Sequence, residues 1–210
     1  MKKDLTWVHL IDSFNEEGCP LCFLTKSSVT RYLDSFLYEN VNDAGIRREL
    51  HRSGGFCNAH AWQLTDFAVG RLGIAIVYQD LISRAAKELT RSLLKEDKSL
   101  CPACRVAQES EKRYTKAFAD SLDDEGFFKE YTASAGLCLS HFARVLGKIT
   151  DSTMTERLTE VQRGKLSSLG VQLEEFIRKH DYRFSREPYG PERDSWRRAI
   201  EKLVGKREVF

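Results

Sequence analysis

Apolar residues along this chain recur at intervals of three and four, not two. Between residues 22 and 38, Phe23, Val29, Leu33, Phe36 and Leu37 form one broad stripe, the mark of a helix with one buried face. Residues 62–95 carry Leu64, Phe67, Leu72, Ile76, Leu81, Ala85, Leu89 and Leu93, enough for one kinked helix or two, with Gly70 and Gly73 weakening it locally. Residues 154–180 place Leu158, Val161, Leu166, Leu169, Leu173, Phe176 and Ile177 at helical spacing. A helix over residues 3–16 opens the chain. A final one from Asp194 or Ser195 puts Trp196, Ile200 and Leu203 on one face. No stretch alternates as a half-buried strand does, and no Asn-Gly hairpin signal occurs. The pattern predicts an all-α protein.

The six cysteines divide this helical chain into two matching halves. Cys19-Pro-Leu-Cys22 is followed by Cys57-Asn-Ala-His60, and Cys101-Pro-Ala-Cys104 by Cys138-Leu-Ser-His141. The match extends past these residues. Arg31 falls over Arg113, Tyr32 over Tyr114 and Phe36 over Phe118; after a one-residue gap, Glu49 falls over Glu130, Ser53 over Ser134 and Gly55 over Gly136. A duplication with cysteine and histidine in register indicates two copies of one unit. The expected organisation is a first repeat over 1–95, a second over 96–180, and an arm and helix over 181–210, the whole forming a helical bundle.

Three Cys and one His per repeat, with none left over, suit a metal. Zinc takes four thiolate or imidazole ligands in a tetrahedron. A Cys-x-x-Cys turn brings two sulfurs to one point, and a proline inside it fixes φ. A Cys-x-x-His pair on a helix has i, i+3 spacing, which puts both side chains on one face. Four protein ligands close the coordination shell, as structural sites do; a catalytic zinc keeps one position open. The expected ligands of two zinc ions are therefore Cys19, Cys22, Cys57, His60, Cys101, Cys104, Cys138 and His141. Iron–sulfur clusters are the alternative cofactor, and a dithiol redox pair at each Cys-Pro-x-Cys a further one, although it leaves the repeated histidines unexplained. Whether ligand pairs combine within a repeat or across the two stays open in the sequence.

CPLC followed by GFCNAHA, then CPAC followed by GLCLSHF, with the ending KHDYRF…DSWRRAI, resembles a prokaryotic domain-of-unknown-function family that is well represented in anaerobic bacteria and archaea. The resemblance spans nearly the whole chain and implies no established activity. It brings iron–sulfur chemistry closer, since anaerobes use it heavily.

The remaining features narrow the function. At 210 residues, 41% apolar and 30% charged, the chain can bury a full core. It has no apolar run near the roughly 20 residues of a membrane span, and its first residues lack a signal-peptide core, so a cytoplasmic protein without a membrane partner is expected. Residues 178–207 hold ten Lys or Arg against five Asp or Glu, a local excess of five. There Tyr182, Arg183, Arg186, Trp196 and Arg197 are candidates for binding an anionic ligand or nucleic acid by charge and stacking; packing of the aromatics back onto the bundle is the simpler reading. Nucleotide-binding glycine loops and HExxH are missing. His9, His51 and His180 read as packing or surface residues, and the run Asp120, Asp123, Asp124, Glu125 as a solvated loop. The leading expectation is a non-enzymatic zinc protein that acts as an interaction module for a protein partner. The alternatives are an electron-transfer protein, a nucleic-acid binder, and an enzyme built on Tyr182, Arg183 and Glu187.

Overall fold

The computed structural model describes residues 3–87, 89, 99–184, 186–207 and 209. Leu93, expected on a helical stripe, lies outside them. The described residues are helical, with no strand among them. Their order is α1 (Leu5–Ser13), α2 (Pro20–Ser35), α3 (Ala44–Ser53), α4 (Asn58–Gln63), α5 (Arg71–Lys87), α6 (Pro102–Ser121), α7 (Glu125–Ala133), α8 (Leu139–Leu146), α9 (Ser152–Lys179) and α10 (Ser195–Val204). A wider π-type turn, Phe36–Asn40, extends α2. The duplication is visible in this order: α2 to α5 correspond to α6 to α9.

Two helices that the apolar stripes do not predict, α3 and α7, precede the Cys-x-x-His pairs. Asp43 accepts a bond from Ile46 N at 2.8 Å and starts α3; Asp124 accepts one from Phe127 N at 2.9 Å and starts α7. Each is an N-cap that satisfies an otherwise unpaired amide. The acidic run is largely solvent-exposed, but it spans a short turn flanked by two helices and not an extended loop. Asp120 lies in α6 beside Lys116, Asp124 is the cap, and Glu125 pairs with Arg157 at 2.9 Å. The stripe over residues 62–95 is interrupted: α4 ends at Gln63, and among the described residues the long helix α5 starts only after Gly70.

The described chain forms two compact units, residues 1–24 with 111–210, and residues 25–110. These divide the chain differently from the repeats at 1–95 and 96–180, which are divisions of sequence similarity. In the first unit, Phe14 and Tyr131 each pack edge to face against Phe118, and Phe127 packs edge to face against Phe14 and Phe118, with centroids 5.0–6.2 Å apart, a geometry aromatic rings prefer. Leu10, Leu21, Leu122, Leu137, Val145 and Leu158 complete that core. In the second unit the core is Val29, Leu33, Phe36, Leu50, Phe56, Leu64 and Val77. The arm is latched to the end of α9. Lys179 Nζ meets Glu192 Oε1 at 2.6 Å and Pro188 O at 2.8 Å, and Glu192 also accepts from Gly190 N.

Candidate metal centres

Every expected ligand sits at the start of a helix, in one repeated arrangement. Cys57 and Cys138 are the N-caps of α4 and α8, and His60 and His141 follow three residues later. Cys19 and Cys101 precede the first helical residues Pro20 and Pro102, with Cys22 and Cys104 again three residues on. Proline suits that first position because its missing N–H would be unpaired there anyway. The carbonyls of Cys19, Cys57, Cys101 and Cys138 each accept the first bond of their helix, at 2.8–3.0 Å. Helix N-termini carry partial positive charge and favour thiolate over thiol.

The approach to α4 and α8 needs glycine. Gly55 and Gly136 take φ of +102° and +77°, a region costly for a residue with a Cβ. At Gly136 a Cβ would also lie 2.3 Å from Lys165 Cδ.

The pairs combine across the repeats. In the first unit, Cys19 and Cys22 meet Cys138 and His141; in the second, Cys101 and Cys104 meet Cys57 and His60. Within each set all ligand atoms lie within 4.8 Å of one another. Cys22 Sγ is 3.8 Å from Cys138 Sγ, and His141 Nδ1 is 3.4 Å from Cys19 and Cys22 and 3.2 Å from Cys138. In the other set Cys57 Sγ is 3.6 Å from Cys104 Sγ, while His60 Nδ1 is 3.1, 3.4 and 3.7 Å from Cys57, Cys104 and Cys101. With metal–sulfur bonds of about 2.3 Å, a regular tetrahedron has edges of about 3.8 Å. Both sets therefore fit one tetrahedral ion, bound by three sulfurs and Nδ1. None of the six cysteines is in a disulfide.

Protons are shared unequally within the clusters. Burial opposes ionisation of Cys19, yet contacts with Cys138, Cys22 and His141 hold its thiol well below the ordinary value. Cys22 is pushed far upward by Cys138, by Cys19 and by burial. Burial and then Cys57 push Cys104 up to about 12. Burial alone would lower His141, but Cys138 and Cys19 outweigh it and raise the imidazole to about 10. Three buried thiols side by side resist ionising together; a coordinated metal ionises them outright.

The two centres are not equally enclosed. Cys22, Cys138 and His141 are 0% exposed and Cys19 is 5% exposed, whereas Cys57 and Cys104 are partly open to solvent. Around the first centre Glu111 Oε1 lies 3.2 Å from His141 Nε2, and Arg144 holds the other carboxylate oxygen at 2.8 Å. A carboxylate behind a ligating histidine fixes the ring and raises its basicity. Lys206 N also approaches Cys22 Sγ at 3.5 Å. Glu111 and Arg144 were not foreseen, since no spacing motif connects them to the ligands.

The C-terminal candidates are arranged differently from the ligands. Tyr182 is 85% and Trp196 52% exposed. Arg183 pairs with Asp181 at 2.7 Å and Arg197 with Glu201 at 3.4 Å, while Arg186 is exposed.

Comparison with known proteins gives the chain its relatives. The model described as "Family of unknown function (DUF6062)" matches twice, over residues 1–99 and 90–209. The chain belongs to that family. The double match reproduces the duplication read from the cysteines. The chain is also similar to an "Uncharacterized 23.9 kDa protein in xynA 3'region" of Caldicellulosiruptor sp. (strain Rt8B.4), 32% identical over 204 residues, which cover 93% of this chain and 99% of that protein. No solved structure matches. Among the described residues no helix is long and apolar enough to cross a membrane.

Proposed function

We propose that this is a non-enzymatic protein in which two structural zinc ions fix a helical scaffold that binds another protein. The observation that carries the reading is the convergence of four helix-start pairs into two closed sets of three sulfurs and one nitrogen, with separations suited to a single ion. Four protein ligands leave no place for a substrate, which favours a structural role. The spacing favours zinc over an iron–sulfur cluster, because a cluster spreads its ligands over several irons. Free thiols in this number suit a reducing compartment such as the cytoplasm.

A protein partner is supported by α10. Trp196, Ile200, Leu203 and Val204 are 52–63% exposed and share one helical face. The ion pairs of the basic segment favour this over nucleic acid. Arg178, Arg183, Arg197 and Arg198 already face Glu175, Asp181, Glu201 and Asp194, so a phosphate would have to displace a carboxylate at each.

The test is metal content and absorbance of protein purified without oxygen and without an affinity metal column. About two zincs per chain and no visible colour are expected. Iron with sulfide and a brown colour would overturn the reading in favour of electron transfer.

A further inference from the structure

Beside the first candidate metal centre, within the first unit, lies a cavity of about 380 Å³. Cys19 and Cys138 form part of its lining, Val161 and Leu169 supply apolar wall, and Lys165 and Lys202 reach it from α9 and α10. Each lysine is held in place by two backbone carbonyls. Lys165 Nζ donates to Thr132 O and Ser134 O at 2.8 and 2.5 Å; Lys202 Nζ donates to Ala135 O and Leu137 O at 2.7 and 3.0 Å. An ammonium has three donors, so each keeps one.

Neither lysine has a carboxylate partner among the described residues, and the carboxylates of the lining are engaged elsewhere. Glu160 pairs with Arg163 at 2.6 Å and Glu201 with Arg197 at 3.4 Å. The lysines also burden each other. Burial, and after it the charge of Lys202, holds Lys165 below its ordinary pKa; burial lowers Lys202 as well. The nearby Cys19, Cys138 and Cys22 thiolates partly offset this at Lys202, but two partly buried cations side by side with no carboxylate partner among the described residues are an unusual arrangement.

We propose that this cavity binds a medium-length aliphatic monocarboxylate, with its two oxygens on the free donors of Lys165 and Lys202 and its chain along Val161, Leu169 and Gly164. The charge count supports a monoanion. A divalent ion with three thiolates and a neutral imidazole carries one net negative charge, two ammonium groups carry two positive, and one positive charge is left over. That count rests on the zinc reading above; the cavity and the lysine geometry do not. The apolar wall favours a hydrocarbon chain over a bare inorganic anion.

The experiment is calorimetric titration of the metal-loaded full chain with hexanoate and octanoate, with acetate and inorganic phosphate as controls. The variant is Gly164→Leu, at a helical position where a Cβ meets nothing within 4 Å. The expected result is one site that prefers octanoate to acetate by at least ten-fold and is lost in Gly164→Leu, whose zinc content and helicity match those of the parent. Lys165→Gln should weaken octanoate about ten-fold, an effect that chain packing alone would not produce. Absence of binding by both hexanoate and octanoate, preference for phosphate, or equal binding by Gly164→Leu would overturn the proposal. Zinc content, measured on the same samples, tests the metal reading separately.

Discussion

Cys22 Sγ and Cys138 Sγ lie 3.8 Å apart although 116 residues separate them in the chain. The first knuckle thus shares its centre with the helix start of the other repeat, and neither repeat holds a complete ligand set of its own. Each centre closes a loop of the chain that neither Cys-x-x-Cys nor Cys-x-x-His could close alone.

Zinc stoichiometry of paired variants tests this exchange. Cys22→Ser and Cys138→Ser should each lose one zinc, and the double variant should lose the same one. Cys22→Ser with Cys57→Ser, both in the first repeat, should lose both. Because zinc binding of this kind contributes on the order of 10–16 kcal/mol of apparent free energy coupled to folding, each loss should also lower the melting temperature sharply. Loss of both zincs from Cys22→Ser with Cys138→Ser would contradict the crossed pairing.

Glu111 gives a test of support from outside the ligand set. It faces His141 Nε2 at 3.2 Å and is held from behind by Arg144. Glu111→Gln keeps its size and removes its charge, so zinc affinity of the first centre should fall about 10–100-fold. Competition with a chromophoric chelator would measure it, and the second centre should hold its metal as before.

Much of this architecture was legible in the sequence. The register of six cysteines and two histidines singled out the eight residues that the structure gathers into two sets able to hold a metal ion, because a metal needs such atoms at fixed spacing, and the 3.6-residue stripes located α2, α5 and α9 but not α6. What escaped was tertiary. Matching the two repeats could not say which knuckle meets which helix, since both pairings use the same residue types. The short helices α3 and α7 escaped because nine or ten residues carry too little stripe; their visible signal was Asp43 and Asp124, N-caps in the same register of the repeat. Lys165 and Lys202 escaped because their partners are backbone carbonyls, which sequence spacing does not encode.

Two glycines should respond with opposite sign to alanine. Gly136 has φ of +77° and a Cβ there would strike Lys165 Cδ, so Gly136→Ala should destabilise by roughly 1–3 kcal/mol. Gly170 lies within α9 with nothing within 4 Å of a Cβ, so Gly170→Ala should stabilise by about 0.5–1 kcal/mol. Urea denaturation of the zinc-loaded protein measures both.

The arm carries a pH signature set by Glu192. The Lys179 ammonium, and then the Gly190 amide, hold its carboxyl at about 2, below its ordinary 4.5. A depressed carboxylate contributes stability that is fully present above its unfolded value and is lost as pH falls through the folded one. Lys179 is raised above 10.5, chiefly by Glu192, so its contribution is intact throughout the acid and neutral range. The protection of the Gly190 amide, which donates to Glu192 Oε1, relative to its intrinsic exchange rate should therefore hold from pH 8 to 5 and fall only below about 4.5. Glu192→Gln should exchange fast already at pH 7. Equal protection in that variant would show that the latch does not hold the arm.

The unequal enclosure of the two centres sets the order in which they should lose metal. A thiolate reacts, and a metal exchanges, only where reagent can reach it. Cys22 and Cys138 are 0% exposed, while Cys57 and Cys104 are partly open. Under limiting chelator with a maleimide present, Cys57 and Cys104 should be alkylated first, with release of one zinc, while Cys22 and Cys138 remain unmodified. Peptide mass spectrometry over a time course reads the order directly. Helicity should fall in two steps, the first belonging to the second unit, because all four ligands of that centre, at the starts of α4 and α6, lie within it. Simultaneous alkylation of all six cysteines would mean that the centres open together and that their difference in burial does not govern their lability.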